Sequence, residues 1–213
     1  MESKLLLYLK FENNIADSSD NHINGTLIGG VNYEQGVDGS GKAIVLGGLS
    51  SPDRISIPFD PSFQFSNEIT ISYWLKINNK RGTDGNGNEK TEGFHSIFQG
   101  SKVSNLLYTN WGNSTFYYPS NNIRLQAGGI LNTHEWVHIS YVISANSAVS
   151  YVNGVKYSEN SEATPIDLST SSGFSIGRQA DNWYPLDGSL DNFRIYNRAL
   201  NANEVKSLYE TKQ

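Results

Sequence analysis

The 213-residue chain reads as all-β: a sandwich of two antiparallel sheets with one short C-terminal helix. Three features predict this. Apolar residues recur at every second position in long runs, the period of a strand with one face on a core. Turn formers punctuate those runs, with 20 Gly and many Asn, Asp and Ser. A helical period occurs once, at the end of the chain.

The elements follow in order. Leu5, Leu7, Leu9 and Phe11 share one face of a first strand. Shorter strands are expected at residues 42–46 and 54–57. Ile69, Ile71, Tyr73, Leu75 and Ile77 make the clearest alternation, with Thr70, Ser72 and Lys76 turned to solvent. Residues 78–93, rich in Gly, Asn, Lys and Glu, read as a long mobile loop. Strands are expected again at 95–99, 105–109 and 123–127. Val137, Ile139, Tyr141 and Ile143 then alternate, followed by strands at 149–153 and 174–177. Asn153-Gly154 marks a tight hairpin, because both central positions tolerate positive φ. A last strand is led by Gly188 and runs to Tyr196. In it Asp191 interrupts the alternation of Leu190 with Phe193 and Ile195, the mark of a bulge. The helix starts at Asn201, where Asn201 and Glu204 fit a capping box and Val205, Leu208 and Tyr209 form an apolar stripe. No repeat or linker divides residues 1–213, a length ordinary for one β domain.

Composition excludes several functions. The net charge is -5 and no Lys/Arg cluster exists, so nucleic acid is not an expected partner. With no Cys, disulfides, thiolate metal sites and a Cys nucleophile are out. No apolar run approaches the ~20 residues of a membrane span. The Leu5 to Leu9 run, interrupted by Tyr8, is too short for a signal peptide in the chain as given. The expected setting is extracellular, on a cell surface or on a virion.

Catalytic patterns fail on context. Gly173-Phe174-Ser175-Ile176-Gly177 matches a nucleophile elbow, yet no helix follows it and no βαβ unit surrounds it. No strand carries the paired carboxylates of a glycosidase. His134 and His138 are four apart but lie on a strand pattern, so they share no helical face. Asp84-Gly85-Asn86-Gly87-Asn88-Glu89 begins like a calcium loop but lacks Gly at position six and Glu at twelve, His95 standing there.

Aromatic side chains in loops are the better lead. Sugars stack their C–H faces on exposed rings, and their hydroxyls need amide, carboxylate and guanidinium partners. Trp183 and Tyr184 sit beside Asp181 and Asn182, with Arg178 just before them. Trp111, Tyr117 and Tyr118 lie in a second Gly/Asn/Ser-rich stretch. These eight residues are the candidate ligand-binding set.

The segment Leu186-Asp187-Gly188-Ser189-Leu190-Asp191-Asn192-Phe193-Arg194-Ile195-Tyr196-Asn197-Arg198-Ala199-Leu200 resembles the C-terminal signature of the LamG-like jelly rolls of the concanavalin A-like lectin/glucanase superfamily. Further matches are Leu7-Tyr8-Leu9-Lys10-Phe11-Glu12, Gly41-Lys42-Ala43-Ile44-Val45-Leu46, Ile69-Thr70-Ile71-Ser72-Tyr73-Trp74-Leu75-Lys76, Glu135-Trp136-Val137-His138 and Tyr151-Val152-Asn153-Gly154. The resemblance implies a jelly roll in which Trp74 and Trp136 pack and Arg178 serves structure as well as binding. It also implies a structural calcium ion (Ca2+) between the N-terminal loop and the penultimate strand. The implied ligands are Asp17 and Asp191, then Glu12, Asn14 and Asn21, although Asp20 replaces the family's Gly after Ser19. The expected function is non-catalytic, lectin-like binding of a glycan or polysaccharide. The alternative is an architectural or adhesion domain of a phage or cell-surface protein, bound to a protein partner.

Overall fold

The computed structural model describes residues 5–63, 68–100, 104–108, 113–118, 123–128, 134–161 and 173–212. Its strands are β1 (Leu5–Leu9), β2 (Thr26–Ile28), β3 (Asn32–Gln35), β4 (Lys42–Gly47), β5 (Arg54–Pro58) and β6 (Ile69–Ile77). Then come β7 (Gly82–Thr83), β8 (Glu89–Lys90), β9 (Phe94–Gly100), β10 (Ser104–Tyr108), β11 (Asn113–Tyr118) and β12 (Ile123–Gly128). The last are β13 (Trp136–Ile143), β14 (Ala148–Val152), β15 (Val155–Asn160), β16 (Gly173–Ile176) and β17 (Asp187–Tyr196), before helix α1 (Ala202–Thr211).

They form two antiparallel sheets, the jelly-roll sandwich expected. One runs β15-β14-β13-β6-β17-β4-β3, with β1 also on β17. The other runs β12-β11-β10-β9-β16-β5-β2, with the short β7–β8 pair beside β9. Period-2 patterning decides which face is inside. Ile71, Tyr73 and Leu75 of β6, Ile139 and Tyr141 of β13, and Ile195 of β17 meet Ile97 and Phe98 of β9, Ile55 of β5 and Ile176 of β16 in one core. Each such side chain contributes about 1.5–3 kcal/mol by leaving water.

The outer face of the first sheet differs from expectation. Thr70 and Ser72 are fully buried rather than solvated. The chain after β17 returns over Thr70, whose Oγ1 donates to the Arg198 carbonyl at 2.8 Å and accepts from Leu200 N at 3.0 Å, while Ser72 bonds His138 Nε2 at 2.9 Å and accepts from Ser140 at 2.8 Å. Tyr209 of α1 stacks on Trp74, ring centroids 5.5 Å apart. Trp74 therefore packs under the helix, outside the sandwich core. The capping box forms as predicted, with Asn201 Oδ1 accepting from Asn203 N and Glu204 N at 3.0 Å and Glu204 Oε2 accepting from Asn201 N at 2.8 Å.

The bulge is also present. The β17–β6 register shifts between Asp191 and Arg194, and Asn192 has φ +52°. Residues 78–93, by contrast, hold the β7–β8 hairpin, built on an Asp84 carboxylate that accepts from Asn86 N and Asn88 N at 2.9 Å. Those bonds hold the Asp84 carboxyl down at about 2.

Candidate functional site

A groove of about 410 Å³ lies on the outer face of the second sheet, a volume within the ordinary range of ligand sites. Strand register builds it. Ser175 of β16 stands opposite Ser56 of β5 on one side and Gln99 of β9 on the other. Their neighbours Ile55, Ile57, Phe98 and Ile176 point into the core, so this polar row faces outward. Arg54, two residues before Ser56, shares its face, and Ile28 of β2 stands opposite Arg54. Ala180 and Asp181, from the loop after β16, close one wall.

That loop is pinned by backbone bonds at both ends: Gly177 N to the Ile97 carbonyl at 2.9 Å, and Leu186 N to the Gly177 carbonyl at 2.8 Å. Gly177 has φ +86°, and a Cβ there would overlap Leu46. Arg178 turns inward. It donates to the carbonyls of Gly48, Ser51 and Asn182, and is buried. Burial, then the charge of Arg54, lowers its pKa. Arg178 is thus a scaffold for the loop, its Nη1 and Nη2 groups bonded to protein carbonyls while its buried Nε has no partner among the described residues. Asn182 accepts from Arg54 Nη1 at 2.6 Å through its side chain and fixes that guanidinium at the groove's rim. Asp181 Oδ1 accepts from Trp183 N at 3.2 Å.

Trp183, in the same loop, is 38% exposed, and its ring lies against Gly87 of the β7–β8 turn rather than in the groove's lining. It stands edge-to-face with Tyr184, centroids 5.9 Å apart. Tyr184 is half-buried against Phe94, and its carbonyl accepts from Ser96 N at 2.7 Å, so it helps seal the sandwich end. Tyr117 and Tyr118 fall on β11. Ser104 pairs with both Gln99 and Tyr117, which places Tyr117 in the register row of the groove and Tyr118 one position off it. Trp111 lies outside the described residues. The sequence reading missed Arg54, Ser56, Gln99 and Ser175. Their signal was the outward half of the 54–57 and 95–99 alternations.

The acidic candidates separate into two places. Leu9 of β1 pairs with Phe193 on one edge and bridges Asp17 on the other. Asp17 is therefore divided from β17 by a strand, about 10 Å at ~4.8 Å per spacing, and does not share a site with Asp191. Its carboxylate accepts from Tyr8 N, Ser19 N, Ser19 Oγ and Ile23 N at 2.7–2.9 Å, which uses its lone pairs to fold the loop. Asn21 donates to the Leu6 carbonyl at 2.9 Å, and Asn14 exchanges bonds with its own turn, so both also serve this loop.

Asp191 instead faces the 36–42 turn. Its carboxylate accepts from Val37 N at 2.9 Å, while Glu12 accepts from Lys42 N at 3.0 Å on the turn's other end. Burial raises the Asp191 carboxyl to about 7; bonds from Val37 and Asn192 oppose this, and the charges of Glu12 and Asp38 add to it. Lys10, Arg194 and Lys212 line the same cleft. Among the described residues no group of three or more His, Asp or Glu gathers to hold a metal.

A family model described as the concanavalin A-like lectin/glucanases superfamily matches residues 46–206. No curated protein matches in sequence. Among solved structures, domain 4 of AbnA, an extracellular arabinanase from Geobacillus stearothermophilus in complex with arabinotriose, is 24% identical with TM-score 0.72, over 98% of this chain and 100% of that one. The binding domain of Paraclostridial Mosquitocidal Protein 1 is 22% identical with TM-score 0.73, over 98% and 52%. The binding domain of botulinum neurotoxin DC, in complex with SialylT, is 14% identical with TM-score 0.74, over 99% and 52%. The chain thus spans about half the length of these toxin domains. At such identities the likeness is one of fold, and it is shared with binding domains rather than catalytic ones. With its model covering β5 to α1, the chain belongs to the concanavalin A-like lectin/glucanase superfamily.

Proposed function

We propose that this domain is a non-catalytic glycan-binding module acting outside the cell, and that the sugar lies in the groove over β5, β16 and β9. The observation that carries the reading is the outward row of Arg54, Ser56 and Gln99 around a buried Ser175 whose hydroxyl donates to the Arg178 carbonyl, walled by Asp181, with an exposed Trp183 in the same loop as Asp181. Such a surface offers donors and acceptors to hydroxyls and a ring to a sugar's apolar face. The arabinanase domain solved with arabinotriose, matched over its whole length, supports the same class of ligand. The toxin domains support it less, since their ligands could sit in the unmatched half.

The test is a glycan array followed by titration of Arg54→Ala and Trp183→Ala. Each should lose about tenfold in affinity, the worth of one stacking or charged contact, with an unchanged melting temperature. Binding that survives both substitutions would overturn the assignment of the groove.

We also propose a structural calcium ion, with a ligand set revised to Glu12 and Asp191 around the 36–42 turn. A carboxylate raised chiefly by burial, with the charges of Glu12 and Asp38 adding to it, is chemistry that a hard cation neutralises, and the turn's carbonyls are oxygen donors of the right kind. Its place is to hold the turn against β17.

A protein partner is the second reading. It is favoured by Val155, 70% exposed, and Tyr157, 49% exposed, on the edge strand β15, and by a botulinum neurotoxin DC binding domain solved with synaptotagmin II.

A further inference from the structure

We infer that the groove takes an uncharged polysaccharide and that Asp181 is the residue that turns anionic sugars away, an inference that rests on the glycan-binding reading of this groove. Among the described residues its lining holds one cation, Arg54, and one anion, Asp181. Among the described residues the charges just beneath are also one of each, and both are bonded within the protein. Arg178 donates to three backbone carbonyls. Asp53 accepts from Gly30 N and Gly47 N at 3.0 Å and from the Ser51 hydroxyl. Among the described residues the groove therefore carries no net charge to attract a uronate or a sialate.

The donors and acceptors make the same distinction. A sugar hydroxyl donates and accepts, so it can use both Arg54 and Asp181. A carboxylate only accepts, and would leave Asp181 facing a like charge. Arg54 Nη1 donates to Asn182 Oδ1 at 2.6 Å, which orients the guanidinium at the rim and leaves its other N–H groups for sugar hydroxyls. Asp181 keeps Oδ2 without a partner among the described residues. Ser56 and Gln99, without side-chain partners among the described residues, add only neutral groups. The groove crosses β9, β16, β5 and β2, three spacings or about 14 Å, which is longer than a single sugar ring.

The experiment titrates the domain with neutral arabinan, xylan and glucan oligosaccharides and with oligogalacturonates and sialylated glycans of matched length, at low and high salt. The wild type should bind neutral glycans with little salt dependence and acidic ones at least about tenfold more weakly. In Asp181→Asn the ratio of acidic to neutral affinity should rise about tenfold. Asp20→Asn, the same charge change on an exposed loop elsewhere, should leave that ratio where it was. Equal binding of acidic glycans by the wild type, or a ratio unmoved by Asp181→Asn, overturns the charge rule and leaves the glycan-binding reading standing. Failure to bind any glycan overturns both.

Discussion

Acidification should destabilise this domain through two buried histidines, at about 5 kcal/mol between pH ~7.5 and ~4.5. His138 and His95 are both 0% exposed. His138 Nε2 lies 2.9 Å from the Ser72 hydroxyl, Ser140 donates to Ser72 at 2.8 Å, and Nδ1 has no partner. Burial, reinforced by the charge of Arg194, pushes His138 down to about 3. Burial pushes His95 down to about 4, against hydrogen bonds to the Lys80 and Pro185 backbone. An unfolded histidine titrates near 6.5, so below that pH the unfolded chain takes up protons that the native state refuses. The stabilisation is complete above about pH 6.5 and is lost as pH falls toward the folded values. Two pH units at 1.36 kcal/mol each give about 2.7 kcal/mol per ring. Asp191, raised to about 7, works with the opposite sign in the metal-free chain, gaining stability as it protonates. The histidine share must therefore be read as a difference. Urea unfolding across this pH range, followed by tryptophan fluorescence, gives the slope for the wild type and for His138→Asn. The variant should lose about half the histidine contribution to the slope, whatever its own stability. Identical slopes, or a folded-state NMR titration of either ring near 6.5, would refute the reasoning.

Three further outcomes are expected. Calcium at 100 times its dissociation constant should add about 2.7 kcal/mol of stability. Chelation should reverse that gain, and Glu12→Gln should abolish it; a melting temperature indifferent to calcium and EDTA at neutral pH removes the ion from the account. Gly177→Ala should cost about 2–3 kcal/mol, from φ +86° and overlap with Leu46, read by denaturant midpoint, and a near-neutral result would mean that the loop shifts at little cost. Asn201→Ala should cost about 1 kcal/mol by freeing the N–H groups of Asn203 and Glu204, seen as fraying of α1 by hydrogen exchange.

The sandwich was legible because period 2 is a property of the strands themselves. β6 and β13 could be read from five and four apolar residues, since the alternation that buries them is written along the chain. β2 and β3 were missed for the complementary reason. With three and four residues and little full burial, they are strands only because β5 and β4 offer them a ladder. The same limit explains Thr70. Nothing local says that the outward Thr70 will be covered by the chain at Arg198 and Leu200, some 130 residues later. The 78–93 segment shows another limit, where polar composition hid a hairpin whose order comes from one Asp84 carboxylate.

The candidate site divides along this line. Trp183 and Asp181 were found because loop aromatics beside acids are conspicuous in sequence, whereas Arg54, Ser56, Gln99 and Ser175 look like ordinary solvent faces of three distant strands. Only the register of β5, β16 and β9 makes them one surface. Asp17 and Asp191 show the converse limit. Both interrupt polar or alternating segments in ways that suggest a ligand, but the carboxylate's fate depends on its neighbours. Asp17 meets four donors within its own loop and is satisfied. Asp191 is buried on a bulge, accepts from Val37 N, and shares its cleft with Glu12 and Asp38 as well as Lys10, Arg194 and Lys212. A carboxylate's role in a β sandwich is thus decided by how many donors the folded backbone turns toward it, which no spacing in the sequence records.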